Sequence, residues 1–160
     1  MNRVLRGAIA GAVGTIALDL TTYGDMLVRG RGASGVPARV AGVLADRLGV
    51  LPLAPGASGE MADNRREAAG ALLGYATGVG IGAAYGLLRG DPERASSPLA
   101  GAVVGLSAMA ASDVPIALTG VSSPATWSLS DWVSDVIPHL VYGLVTVAVY
   151  DATRGSSRAT

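Results

Sequence analysis

Four apolar stretches, at about 4–28, 68–88, 98–118 and 131–151, occupy most of a chain of 160 residues. Each is close to the 20 or so residues that an α-helix needs to cross the hydrocarbon core of a bilayer. Within that core every backbone N–H and C=O must find a partner inside the protein, and a helix meets this demand within a single segment. The expected fold is therefore all-α: a four-transmembrane-helix bundle forming one integral membrane domain over 1–160. The charge content agrees, since 15% of residues are charged against roughly a quarter in a soluble domain.

The loop between the first two stretches is the only sizeable part outside the spans. Within it, Val40, Val43, Leu44 and Leu48 fall on one helical face, Pro37 suits a first turn and Gly49 suits a helix end. A short amphipathic helix over about 37–48 is expected, either lying on the membrane surface or docked against the bundle. Residues 51–59, with two prolines and two glycines, read as a turn-rich connector. Arg3 and Arg6 ahead of an apolar run resemble a signal peptide, but no small-x-small cleavage site follows, so a retained first helix is expected.

Helix packing is written in the glycines. Gly70, Gly74, Gly78, Gly82, Gly86 and Gly90 recur at every fourth position of the second stretch. Each step turns the helix by about 400°, so the glycines form a slowly winding groove that admits another backbone. The partner is another helix of this chain or a second copy of it. Gly101 and Gly105, followed at helical spacing by Ala108 and Ser112, make the third stretch the natural partner of the second.

Ionisable groups inside the spans are few. Asp19 lies on a small-to-polar stripe of the first stretch, and Asp113 sits just before Pro115, where a kink is expected. The fourth stretch carries Asp131, Asp135, His139, Tyr142, Thr146 and Tyr150 on one face, with the only histidine of the chain one turn from Asp135. His139, Asp19, Asp113, Asp135 and Tyr142 are the candidates for proton or ion handling, because intramembrane ionisable residues mark such paths. The bland alternative is that these side chains hydrogen-bond across helices and fix their arrangement.

Other chemistries find little support. The chain has no cysteine, which removes thiolate nucleophiles and Cys-ligated metals, and its twelve basic residues are all arginine without any basic tract for nucleic acid. One histidine with scattered carboxylates has no metal-ligand spacing. Ser112, His139 and Asp135 are of the residue types of a catalytic triad, yet no Gly-x-Ser-x-Gly elbow occurs. No catalytic residue, metal or cofactor is expected. Arginines divide six against six between the two faces, so charge leaves orientation open. The arginine-free loop between the third and fourth stretches, with Trp127 and Trp132, favours termini on the inside.

Leu99-Ala100-Gly101-Ala102, Leu118-Thr119-Gly120, and Ser134-Asp135 followed by His139-Leu140-Val141-Tyr142 give residues 98–150 a resemblance to the YagU-like family of small bacterial inner-membrane proteins. The glycine repeat and the arginine-bearing loop helix have no counterpart in that resemblance. It implies an inner-membrane location and draws attention to His139, but no particular activity. The leading expectation is a non-enzymatic structural, envelope or stress-related membrane component. The rival is a proton-coupled small-solute transporter or channel using His139 with Asp19 and Asp113. The expected partners are the lipid bilayer and either a second copy or another membrane protein.

Overall fold

The computed structural model describes residues 1–49, 59–89 and 96–155, all of the regular structure being helical. Among the described residues five α-helices follow in order: α1 (Arg3–Arg29), α2 (Val36–Leu48), α3 (Glu60–Arg89), α4 (Pro98–Thr119) and α5 (Leu129–Gly155), with a 3₁₀ turn at Pro124–Thr126. Four of them, α1, α3, α4 and α5, are long and apolar enough to cross a membrane. This is a multi-pass membrane protein. Residues 51–58 of the connector and Gly90 of the glycine repeat lie outside the described residues, as do Arg94 and Arg158.

The helix ends follow from local chemistry. Asn2 caps α1 by accepting from the Leu5 N–H at 2.7 Å, and Ser97 caps α4 ahead of Pro98. At α5 the cap is Ser128, paired reciprocally with Asp131: each side chain accepts from the other's backbone N–H, at 2.9 and 3.2 Å. Gly30, Gly49 and Gly120 end α1, α2 and α4 in the left-handed region, with φ of 61°, 61° and 71°.

The four long helices form a ring in which α1 touches α3 and α5, and α4 touches α5 and α3, so every neighbouring pair is antiparallel. One end of the bundle, here the terminal end, carries Arg3, Arg89 and Asp151. The other, the loop end, carries Arg29, Glu60 and Leu129. The pattern of exposure is inverted relative to a soluble protein. Leu20, Leu27, Leu72, Leu88, Leu99 and Leu118 face outward, while the largest fully buried side chains are Tyr142, Tyr150 and Thr146. Only a lipid surround makes such an exterior favourable.

Close backbone approach replaces side-chain interdigitation at two interfaces. Gly78, Gly82 and Gly86 of α3 meet Gly7, Gly11 and Thr15 of α1, and Gly101 and Gly105 of α4 meet α5 around Leu144, Leu140 and Gly143. The pairing of the second and third stretches expected from their glycines is thus corrected. The groove on α3 is filled by α1, which brings glycines of its own, and α4 turns its glycines to α5. Gly74 faces nothing within contact distance, and Gly70 meets the backbone of Pro37 and Ala38.

That last contact explains α2. At thirty residues, α3 is about 45 Å long and overshoots the bilayer core. Its first turns, from Glu60 to Glu67, are charged. Helix α2 packs on those turns and on α4. Its buried face holds Val40, Ala41, Gly42 and Ala45 rather than the expected Val43 and Leu48, because the close approach at Gly70 and Arg66 selects the small residues. Leu48 is exposed.

Candidate functional site

The polar stripe of α5 runs obliquely into the bundle. Asp131 is exposed at the helix start, Asp135 and His139 are half-buried, and Tyr142, Thr146 and Tyr150 are buried. Two prolines shape the region where the ionisable groups lie. Pro115 in α4 and Pro138 in α5 each remove a backbone donor and free a carbonyl one turn earlier, yet both helices continue. Asp113 and Asp135 each lie within one turn before such a proline. Pro138 was a signal in the sequence that the stripe alone did not bring out.

His139 is held by its own helix. Its Nδ1 lies 2.8 Å from the Asp135 backbone oxygen and 3.3 Å from Asp135 Oδ1. A carbonyl oxygen only accepts, so Nδ1 donates and carries the hydrogen, leaving Nε2 as the exchangeable site. Across the interface, the Asp113 carboxyl of α4 comes within hydrogen-bonding reach of the Asp135 carboxyl and within Coulombic range of His139. Asp135 Oδ2 is buried and receives no hydrogen bond from an N–H or hydroxyl donor. Two carboxyl oxygens can satisfy one another only with a proton between them. Asp113, Asp135 and His139 therefore form one polar cluster across the α4–α5 interface.

Asp19 is not part of this cluster. It accepts a hydrogen bond from Tyr75 Oη at 2.9 Å, tying α1 to α3 where Gly74 leaves the two backbones apart. Tyr75→Phe is expected to lower the unfolding midpoint slightly, because an interhelical hydrogen bond is lost without a change of shape; denaturant unfolding in mild detergent would measure it. Ser112 turns its hydroxyl back to the Ala108 carbonyl at 3.2 Å and makes no triad with His139.

No protein-family model, curated protein or solved structure matches this chain. The chemistry of the site must therefore be judged from its own geometry. Among the described residues no three His, Asp or Glu side chains converge as a metal site would require. What the cluster offers is two neighbouring carboxyls and an imidazole whose Nδ1 is held by Asp135, leaving Nε2 to exchange a proton. At the loop end Arg29 of α1 donates to Ser130 at 2.7 Å, to Asp25 at 2.6 Å and to Ser134, tying α1 to α5.

Proposed function

We propose that this chain is a non-enzymatic, multi-pass protein of a bacterial inner membrane that takes up and releases protons at Asp113, Asp135 and His139, as a proton-coupled small-solute transporter or channel. The observation that carries this reading is the approach of the Asp113 carboxyl to Asp135 beside His139, about two turns in from the loop end of the bundle. Intramembrane acids are costly, and a pair placed on two helices against an imidazole is a natural proton site. The resemblance of residues 98–150 to the YagU-like family supports the inner-membrane location, and the arginine-free α4–α5 connection supports termini on the cytoplasmic side.

The test is proton entry into proteoliposomes carrying an internal pH-sensitive dye after an external acid jump. Wild-type protein should exceed empty liposomes, and Asp113→Asn and His139→Ala should each reduce entry at least tenfold. Equal, negligible entry for wild type and both variants would sink the proposal. A second reading, a structural or envelope-related scaffold that assembles with copies of itself or with other membrane proteins, is favoured by the backbone contacts at Gly82 and Gly143, which hold two helix pairs rigidly. It predicts no proton entry at all.

A further inference from the structure

Tyr142 stands one turn beyond His139, on the same face of α5, in the interior of the bundle. It is 1% exposed. Its ring lies against the positions where Gly14 of α1 and Gly78 of α3 lack a Cβ: a Cβ built at Gly14 would sit 2.9 Å from Tyr142 Cδ2, and one at Gly78 would sit 3.4 Å from Cε2. It also packs with Val104 and Ala108 of α4. One side chain of α5 thus touches all three other spanning helices and fills the cross-section of the bundle. Its hydroxyl crosses the diagonal to donate to the Gly78 carbonyl at 2.6 Å.

On the loop-end side of this ring lie Asp135, His139 and Asp113. On the terminal side the interior is again polar, with the hydroxyls of Thr146 and Tyr150 at successive turns of α5, both buried. Tyr150 donates to the Gly86 carbonyl at 3.3 Å. Polar groups therefore exist above and below Tyr142, and the phenol ring separates them. Elsewhere at this level the helices are sealed backbone to backbone through Gly11 and Gly82 and through Gly105 and Gly143.

We infer that Tyr142 is the closed barrier between the proton site and the terminal end of the bundle, and that release of its hydroxyl from the Gly78 carbonyl is the step that lets a proton pass to the Thr146 and Tyr150 hydroxyls. The inference rests on the proton-binding reading of the cluster and adds the direction from which that cluster is reached: protons enter from the loop end in the conformation described here. The phenol reaches the Gly78 carbonyl because Gly78 has no side chain between the helix backbone and the ring.

Passive proton leak in proteoliposomes tests it, with no added solute. Tyr142→Ala removes the ring and should raise the leak at least tenfold over wild type. Tyr142→Phe keeps the ring, loses the bond to Gly78, and should raise it severalfold. A folded Tyr142→Ala protein with wild-type leak would overturn the inference. If that variant does not reconstitute, Tyr142→Phe decides, and a leak no higher than wild type overturns the inference. The two proposals fail separately. Loss of wild-type proton entry in Asp113→Asn reports on the cluster alone, whereas the leak of the Tyr142 variants reports on the barrier whether or not the cluster binds protons.

Discussion

Gly82→Ile is expected to separate α1 from α3 and leave little folded protein at denaturant concentrations that wild type tolerates. A Cβ at Gly82 would lie 2.6 Å from Gly11 Cα and 2.7 Å from Gly11 N. Both are backbone atoms of a packed helix, so no rotamer change relieves the overlap, and the only relaxation is to move a whole helix. Overpacking ordinarily costs about 1–3 kcal/mol, and a clash that only helix displacement can relieve belongs at or beyond the top of that range. The stabilisation lost is also broad, because van der Waals contact is the main force between helices in lipid and every close contact along the pair lengthens together. Gly74→Ala is the matched control. It belongs to the same four-residue repeat, but nothing lies within 4 Å of its Cβ position, so its unfolding midpoint should equal or slightly exceed that of wild type. Unfolding followed by circular dichroism in mild detergent reads both variants. Equal midpoints for Gly82→Ile and wild type would show that the α1–α3 contact is not what the structure places there.

These two glycines also mark how far the sequence could be read. The apolar stretches at 4–28, 98–118 and 131–151 correspond closely to α1, α4 and α5, because the demand for backbone satisfaction in lipid ties span length to helix length. The stretch at 68–88 gives only the membrane part of α3, which starts eight residues earlier. Those extra turns are charged, and they are ordered by packing against α2, a tertiary contact that hydropathy does not encode. The glycine period identifies a face of α3 but not what lies on it: α1 along Gly78, Gly82 and Gly86, α2 at Gly70, and nothing at Gly74. Similarly, the stripe of α5 placed Asp135, His139 and Tyr142 on one face, while the distinction between Asp113, which joins them, and Asp19, which pairs with Tyr75, depends on which helices are neighbours. Periodicity specifies orientation about a helix axis. Neighbour identity comes from the way four such faces close into a ring.

Gly143, a residue that no repeat singles out, is where packing and the proton site meet. A Cβ there would fall 2.7 Å from Gly105 Cα and closer still to Gly105 N and Gly101 O. In the antiparallel α4–α5 pair, Asp113 lies eight residues beyond Gly105 and Asp135 lies eight residues before Gly143. The carboxyl contact is thus about 12 Å along the same seam as the glycine contact. Gly143→Val must push α4 from α5 by roughly an ångström or more before ordinary contact distances return. A carboxyl pair bridged by one proton does not survive an added ångström, since such bonds span about 2.5–2.7 Å. Two losses are therefore expected from one substitution: destabilisation at the upper end of the about 1–3 kcal/mol scale of overpacking, and proton entry reduced as far as in Asp113→Asn. Gly143→Ala should show the same pair of effects in weaker form. A Gly143→Val protein that reconstitutes with wild-type stability but loses proton entry would place the seam's role in positioning the acids. One that keeps full proton entry despite a lowered unfolding midpoint would remove the Asp113–Asp135 contact from the mechanism.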